Sequence, residues 1–286
     1  MKTVKKAVIP AAGFGTRFLP ITKSMPKEML PLIDKPAIHY VVEEAINSGI
    51  DDILIITGRG KRAIEDYFDH SPELEFHLER KGKISQLADL KKISSLENIH
   101  YIRQKEPRGL GDAIGIAEKH IGDEPFAVLL GDDILRGATP CTHQLIDISA
   151  RKSGSVIAVQ PVPREKISSY GIIKGSYTDP GILLLEDIVE KPAPANAPSD
   201  LGAIGRYVFT SDIFDSIRKT PAGVGNELQL TDAIRLLCRE KKVFGYVYPG
   251  KRYDTGDKLG YLETIVDFAL ADPDIGEPFR DFLKKC

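Results

Sequence analysis

The hydrophobic residues of the chain fall into two alternating patterns, which together predict an α/β fold. Short runs rich in β-branched residues, such as those in "KKAVIP" and "DDILIITG", are typical of buried strands. Between them, "PAIHYVVEEAINSG" places apolar side chains on one helical face, at Ile38, Val41, Val42, Ala45 and Ile46. Strands that alternate with such helices indicate βαβ units. We therefore predict a Rossmann-like mixed, mainly parallel sheet with flanking helices.

The alternation continues along the chain and suggests its organisation. Further strands are expected in "NIHYIRQ", "FAVLLGDD" and "FGYVYPG", and further helices in "KRAIEDYF", "LGDAIGIAEKHIG" and "ELQLTDAIRLLCREKKV". The polar, lysine-rich residues 69–98 interrupt the spacing and are interpreted as an insertion of small helices. After the turn "YDTGD", two more helical segments follow. We predict one main domain over residues 1–250 and a C-terminal helical extension over residues 251–286, which would close the site and could contribute to an oligomer.

Composition excludes two classes of partner. The chain has 39 Lys and Arg against 41 Asp and Glu, a net charge of −2, so it has no basic surplus to follow a nucleic acid. Its aliphatic runs are far shorter than the ~20 residues of a membrane helix. Three widely spaced cysteines, Cys141, Cys238 and Cys286, match no metal-ligand spacing and suit reduced thiols. We expect a cytoplasmic protein that binds neither nucleic acid nor membrane.

A glycine-bearing loop, "AAGFGTRFLP", follows the first predicted strand. Peptide N–H groups near Gly13 and Gly15 could converge on phosphate oxygens, because glycine allows close approach and left-handed backbone angles. The dinucleotide fingerprint of an NAD-dependent oxidoreductase would need Gly or Ala where Phe18 stands, although Asp34 lies near the distance expected for a ribose-binding acid. On the glycines alone, a tight turn with an exposed Arg17 is an equally good interpretation.

The longer pattern is more specific. "GFGTRFLPITKSMPKEMLP" reads G-x-G-T-R-x-x-P followed by P-K-E-M-L-P, which resembles the signature of the sugar-phosphate nucleotidyltransferases. The resemblance continues in order through "RGLGDAI", "LLGDDIL", "YGII", "VEKP", "IGRYV", "ELQLTDAI" and "YDTGDKLGY", over nearly the whole chain. It is closest to the prokaryotic glucose-1-phosphate uridylyltransferase branch.

The resemblance implies an enzymatic reaction between two polyanions. In this family, an oxygen of a sugar 1-phosphate attacks the α-phosphorus of a nucleoside triphosphate, and pyrophosphate leaves. Such transfers are accelerated mainly by positioning and charge stabilisation. The resemblance therefore implies Mg²⁺ as cofactor, UTP and glucose 1-phosphate as substrates, and a homodimer or homotetramer.

The resemblance also assigns expected roles to individual positions of this chain. The expected catalytic residues are Arg17, Lys27 and Lys191. The expected nucleotide-binding residues are Ala11, Ala12, Gly13, Gly15, Thr16, Gln104, Gly109 and Asp132. The expected sugar-phosphate residues are Gly171, Glu190, Lys191, Gly205 and Glu227. The expected metal ligands are Asp132 and Asp254.

Local sequence offers plainer interpretations of the acidic positions. Asp132 ends the predicted strand "FAVLLGDD", at the carboxyl edge where open α/β sheets bind ligands. Because side chains alternate along extended chain, only one of Asp132 and Asp133 is expected to face the site. Asp254 would otherwise be an ordinary turn residue, and Glu190 with Lys191 a solvated surface pair.

Two alternatives to uridylyl transfer remain open at this stage. Gly131 precedes Asp132, as in the thymidylyltransferases, where uridylyltransferases often have proline; "PAAGFGTR" and "MPKEMLP" favour the uridylyl branch. The two bases differ by one methyl group, which is commonly worth only ~1 to 3 kcal/mol. A non-catalytic sugar-nucleotide sensor is the other alternative. It would be expected to lose Lys27, Asp132 or Asp254, and the chain retains all three.

Overall fold

A mixed nine-stranded sheet organises the computed structural model, which describes residues 2–96 and 98–286, apart from the side chain of Val224. The strands are β1 (Lys6–Pro10), β2 (Pro31–Leu32), β3 (Lys35–Pro36), β4 (Asp52–Thr57), β5 (Asn98–Arg103), β6 (Phe126–Leu129), β7 (Asp133–Arg136), β8 (Ser155–Pro161), β9 (Gly171–Asp179), β10 (Ile182–Glu190), β11 (Leu201–Phe209), β12 (Val243–Val247) and β13 (Lys251–Asp254). The sheet has the order β5-β4-β1-β6-β11-β8-β12-β10-β9. Only β10 and β11 run against the other strands of this sheet, so it is mainly parallel in direction, as predicted.

Helices flank the sheet on both faces. They are α1 (Ala37–Asn47), α2 (Arg62–Phe68), α3 (Pro72–Arg80), α4 (Ile84–Ser94), α5 (Leu110–Gly115), α6 (Glu118–Ile121), α7 (Cys141–Lys152), α8 (Asp212–Lys219), α9 (Leu230–Glu240), α10 (Lys258–Ala271) and α11 (Gly276–Leu283). Alternate side chains of β1 enter different cores: Ala7 and Ile9 pack with α1 and α7, whereas Val8 packs with α5, α8 and α9. The two faces of each central strand are therefore both buried, which explains their continuous hydrophobic runs.

Two predicted elements differ from the sequence pattern. The helix expected over "LGDAIGIAEKHIG" is divided into α5 and α6, where the Ala117 N–H donates to the Ile114 carbonyl three residues back. The strand expected over "FAVLLGDD" ends at Leu129, and Asp132 lies beyond it. The Leu130 N–H donates to Gly205 of β11, and the Asp132 carbonyl accepts from Thr255, so tertiary contacts draw residues 130–132 out of the strand.

A small second sheet carries the C-terminal segment to the carboxyl edge of the main sheet. Strands β7 and β13 pair antiparallel, with Asp133 opposite Asp254. Helix α10 follows directly and packs through Phe268 against Leu32, Ala37 and Ile134. Residues 72–94 form α3 and α4, in the segment interpreted as an insertion. The division at residue 250 stays a prediction.

No helix within the described residues is both long and apolar enough to cross a bilayer.

Candidate active site

Asp132 and Asp254 meet at one cavity of about 470 Å³, because the β7–β13 pairing brings their segments together. Gly256, which has no side chain, lies beside both carboxylates. A Cβ at Gly256 would lie 2.9 Å from Asp254 Oδ1 and 3.1 Å from Asp132 Oδ2. The Gly256 N–H also donates to Asp254 Oδ1 at 2.9 Å, which fixes this carboxylate. The two predicted metal ligands thus face the same small space.

Lys27 is paired with Asp132. Its Nζ lies 2.5 Å from Asp132 Oδ2, and about a quarter of each side chain is exposed. Lys27 is held in a 3-10 turn, Lys27–Met29, directly after Pro26. Burial disfavours ionisation of Asp132, but the Lys27 ammonium outweighs it and holds the pKa of this carboxyl below its ordinary value. Burial would also lower the pKa of Lys27, whereas Asp132 and Glu28 together raise it. Both groups therefore stay charged near neutral pH.

Arg17 reaches the same cavity from the glycine loop. Its Nη1 donates to the Gly256 carbonyl at 3.4 Å. The loop closes tightly behind it: Gly15 has φ of 65°, and its carbonyl accepts from the Thr22 hydroxyl at 2.8 Å. A Cβ at Gly15 would lie 3.1 Å from Thr22 Cγ2, so both conformation and space require glycine here.

Four of the predicted sugar-phosphate residues line this first cavity, namely Gly171, Glu190, Lys191 and Gly205. Glu190 accepts a hydrogen bond from Thr231 at 2.6 Å and lies 3.1 Å from the Lys191 ammonium. A Cβ at Gly171 would lie 3.0 Å from the Thr231 hydroxyl, so the pocket floor there has no room for a side chain. Carboxylate, hydroxyl and ammonium groups are therefore gathered within a hydrogen-bonded cluster.

A second cavity, of about 380 Å³, adjoins the first and contains most of the expected nucleotide-side residues. It is lined in part by Ala12, Gly13, Lys27, Gln104, Gly109, Asp132 and Glu227. Gln104 is buried, and its Nε2 donates to Asp112 Oδ2 at 2.7 Å. Asp132 is common to both cavities, so a group bound in either one reaches the same carboxylate.

Some predicted residues lie elsewhere. Glu227, expected on the sugar side, lines the second cavity instead of the first. Ala11 is buried, and its N–H donates to the Ile56 carbonyl of β4 at 2.9 Å. This N–H is therefore used within the main sheet. Gly15 and Thr16 belong to the loop that supports Arg17 and are not among the residues that line either cavity.

The expectation that only one of the two neighbouring aspartates faces the site was wrong. Asp132 and Asp133 both line the first cavity, because residues 130–132 are not extended strand and the alternation does not apply. Asp133 is almost fully buried and lies 2.5 Å from an Arg252 Nη atom. Burial raises the pKa of Asp133 to about 6, although Arg252 opposes this.

Arg252 is a site residue that sequence reasoning missed. Its guanidinium connects Asp133 with Asp254 Oδ2, at 3.1 Å from the latter, and donates to the Tyr170 hydroxyl at 2.7 Å. A signal was present in "KRYDTGD". Residues two apart on a strand share a face, so Arg252 could have been placed beside Asp254.

A buried ion pair beneath the site was also missed. Arg206 is fully buried, and two of its nitrogens lie 3.0 and 2.9 Å from Glu44 Oε2. The same guanidinium donates to the carbonyls of Leu130, Gly205 and Asp133, at 3.2, 3.1 and 2.6 Å. Arg206 therefore fixes the backbone that carries both aspartates. An arginine inside the apolar run "LGAIGRYVF" was the available signal.

The residues present fit a magnesium ion. Mg²⁺ prefers one or two carboxylates together with water and substrate phosphate oxygens. Asp132 and Asp254 supply those carboxylates, and the space that a Cβ at Gly256 would fill lies against an oxygen of each. All the ligand atoms are oxygens, as this cation requires.

A sheet of this topology, with a glycine loop, cations and paired carboxylates at its carboxyl edge, has the features of an enzyme acting on nucleotides. The nucleotidyl transferase family model matches residues 6–269, and the chain belongs to that family. It is a nucleotidyltransferase.

Relatives of known name are similar over the full length of the chain. The chain is 53% identical, over 99% of its length and 97% of the relative, to the UTP–glucose-1-phosphate uridylyltransferase of Bacillus subtilis strain 168. It is 50% identical, over 100% and 99%, to the enzyme of that name from Staphylococcus epidermidis strain RP62A. Among solved structures, UTP-bound UGPase from Acinetobacter baumannii matches with a TM-score of 0.91 at 38% identity, covering 98% of both chains. A UDP-glucose pyrophosphorylase complexed with UDP-glucose matches with a TM-score of 0.86 at 42% identity, covering 94% of this chain and 100% of that one.

Proposed function

We propose that the chain transfers a uridylyl group from UTP to glucose 1-phosphate in the presence of Mg²⁺, giving UDP-glucose and pyrophosphate. One observation carries the proposal: Asp132 is shared by two adjoining cavities and is paired with Lys27. Two substrates that occupy the cavities would have their phosphates side by side at this residue. The names of the relatives, at 50% and 53% identity over the full chain, support the choice of substrates.

In this proposal the second cavity receives the nucleotide. Because the Gln104 Nε2 donates to Asp112, its amide oxygen is oriented by that bond and would accept from the N3–H of uracil. The glycine loop at Gly13 would admit the triphosphate. Arg17 would contact the phosphates with a planar fork and Lys27 with a point charge. Both cations lie near Asp132, since Lys27 contacts its carboxylate and Arg17 contacts Gly256, where a Cβ would be 3.1 Å from Asp132 Oδ2.

The first cavity receives glucose 1-phosphate. Glu190 would accept hydroxyl hydrogen bonds from the sugar, and Lys191 would neutralise its phosphate. An oxygen of that phosphate forms the new bond to the α-phosphorus of UTP. The bond from the α-phosphorus to the bridging oxygen breaks, and pyrophosphate leaves with the electron pair. Arg17 and Lys27 stabilise the charge that accumulates on this leaving group.

Magnesium, held by Asp132 and Asp254, would offset phosphate charge and orient the reacting oxygens. The contribution of the protein is to aim both carboxylates at one space. Lys27 also keeps Asp132 ionised. Arg252 and the Gly256 N–H hold the Asp254 carboxylate in place.

Three further features belong to the proposal. Residues 251–286 form an extension that closes the site; Arg252 and Asp254 of β13 and Asp257 before α10 line the first cavity and support this role. We also propose a homodimer or homotetramer, which light scattering on the purified chain would test. A cytoplasmic location, expected from the reduced cysteines, stays a prediction.

The substrates are tested by measuring pyrophosphate release with glucose 1-phosphate and Mg²⁺, offering UTP, dTTP, CTP, GTP and ATP separately. The proposal predicts that UTP is turned over fastest and that a chelator abolishes the reaction. Equal or faster turnover of dTTP would contradict the uridylyl assignment. Absence of reaction with every nucleotide would contradict the choice of sugar phosphate.

A further inference from the structure

A cluster of one aspartate and two histidines lies at the opposite end of the sheet from the candidate active site. Asp52 begins β4 and is in register with Lys6, the first residue of β1. His100 lies on the edge strand β5, and His120 lies on α6. The active-site loops follow the other ends of the parallel strands, after Pro10 and Leu129. The cluster therefore has no part in the proposed transfer reaction.

The potential ligand atoms of these three side chains converge. Asp52 Oδ1 lies 2.8 Å from His120 Nε2 and 3.8 Å from His100 Nε2, and one ligand atom from each residue lies within 4.8 Å of the others. The two imidazole rings are tilted by 56° with centroids 5.1 Å apart, so they are not stacked face to face. Three elements distant in sequence thus direct one nitrogen or oxygen each toward a common point.

We propose that Asp52, His100 and His120 form a binding site for a divalent transition-metal ion of the zinc class. Two imidazoles and one carboxylate suit Zn²⁺, Ni²⁺ or Cu²⁺, whereas Mg²⁺ prefers an all-oxygen set. In a tetrahedral zinc site with bonds of about 2.0 to 2.1 Å, ligand atoms are roughly 3.3 Å apart. The distances of 2.8 and 3.8 Å from Asp52 bracket that value, so small side-chain rotations complete the geometry.

Exposure and charge favour this site. The His100 side chain is 53% exposed, which leaves it free to rotate and leaves a fourth position open to water. The nearby Lys6 ammonium has acceptors of its own: it donates to the carbonyls of His120 and Ile121 and pairs with Glu124 at 3.1 Å. Its charge is therefore balanced away from the Asp52 carboxylate.

The bound ion would connect the edge strand β5 to β4 and α6. An ion that binds the folded chain and not the separated ligands of the unfolded chain raises stability by mass action. A hydrogen bond between Asp52 and His120 alone would need neither His100 nor any metal. The role of His100 therefore separates the metal site from an ordinary hydrogen-bonded pair.

The test titrates the full chain with Zn²⁺ by competitive calorimetry, after chelator treatment and with excess Mg²⁺ to occupy the carboxylate cavity. All proteins carry Cys286→Ser, because this exposed thiol would also bind zinc. The variants are His100→Ala and His120→Ala. His143→Ala is the matched control, since His143 pairs only loosely with Asp147, at 3.6 Å on α7.

We expect one zinc equivalent in the parent protein, an affinity at least about tenfold weaker in His100→Ala and in His120→Ala, and no change in His143→Ala. Zinc should raise the melting temperature of the parent but not of His100→Ala. Absence of binding to the parent, or unchanged affinity in His100→Ala, would overturn the proposal. If His120→Ala fails to fold, the zinc affinity of His100→Ala still tests the proposal, because the His100 side chain is largely exposed. Transferase activity with Mg²⁺ should be unchanged in His100→Ala, so failure here and failure of the proposed function are distinguishable.

Discussion

Lys27 Nζ lies 2.5 Å from Asp132 Oδ2, so the cation expected to meet the triphosphate is bound to the carboxylate expected to meet the metal. Each partner keeps the other charged in a largely enclosed place, since the pKa of Asp132 is lowered and that of Lys27 is raised. The pair is therefore a preformed electrostatic unit at the junction of the two cavities.

Replacing Lys27 tests the role of its charge. Lys27→Ala should lower kcat by about 10² to 10³, because in the proposed reaction the ammonium would stabilise charge on departing pyrophosphate, and should change the KM for glucose 1-phosphate much less. Steady-state kinetics at saturating UTP measure both. The matched control is Lys23→Ala, which removes an exposed lysine four residues away. A rise in KM with an unchanged kcat would assign Lys27 to substrate binding instead.

Replacing Gly256 tests the shared space between the carboxylates. The added methyl of Gly256→Ala would lie 2.9 and 3.1 Å from oxygens of Asp254 and Asp132, so activity should fall at least about tenfold and require more Mg²⁺. Gly256 is outside the left-handed region, so the change adds no backbone strain, and any loss of folding stability should come only from displacing the carboxylates. Gly60→Ala provides the converse control. Gly60 has open space around it but φ of 78°, so this change should cost stability and leave the Mg²⁺ response intact. If Gly256→Ala needs no more Mg²⁺ than the parent, Asp132 and Asp254 do not bind one Mg²⁺ together in this space.

The buried pair of Arg206 and Glu44 should be a strong contributor to stability and to loop geometry. Glu44→Gln leaves a fully buried guanidinium without its counter-charge, so the free energy of unfolding should fall by about 3 to 5 kcal/mol. Urea denaturation measures this loss. Asp51→Asn is the control. It removes a surface partner of Lys5 at 3.3 Å with half of each side chain exposed, and should cost well under about 1 kcal/mol. Equal losses in the two variants would contradict a structural role for the buried pair.

Asp133 should make stability depend on pH. Its pKa is raised from 3.8 to about 6 in the folded chain, so the folded state retains a proton that the unfolded state has already lost. The stabilisation is fully present below about pH 4 and is lost as the pH rises through about 6. Asp133→Asn does not titrate. The unfolding free energy of the parent minus that of Asp133→Asn should therefore fall, by up to about 3 kcal/mol, between about pH 4 and pH 7.

The control for this measurement is Asp123→Asn, which removes an exposed carboxylate. The unfolding free energy of the parent minus that of Asp123→Asn should stay nearly constant over the same pH interval. If this free-energy difference for Asp133→Asn is constant or rises with pH, the effect of Arg252 on the pKa of Asp133 outweighs the effect of burial.

Local pattern was sufficient for most of the fold and failed where distant segments meet. The apolar spacing of α1 and the β-branched run of β4 identified both elements, because each side-chain period depends only on its own backbone. The end of β6 was misplaced because hydrogen bonds to Gly205 and Thr255 redirect residues 130–132. Those partners are more than 70 residues away and leave no local trace.

For the candidate site, too, local sequence located some residues and failed for others. A resemblance carried by contiguous motifs located Arg17, Lys27, Asp132 and Asp254, and the structure gathers them around one cavity or its neighbour. Arg206 stands out as a charge inside the apolar run "LGAIGRYVF", but its role could not be predicted from that run. Its counter-charge, Glu44, is 162 residues away, and a charged residue in an apolar strand is interpretable only when its partner is known.

The most direct test of the account is Mg²⁺-dependent formation of UDP-glucose by the parent chain and by Asp132→Asn, with circular dichroism to show that both are folded. The account predicts product from the parent and a rate at least about 10³-fold lower from Asp132→Asn, because this change removes the charge shared by both cavities. Product formation by Asp132→Asn at a rate close to that of the parent would contradict it.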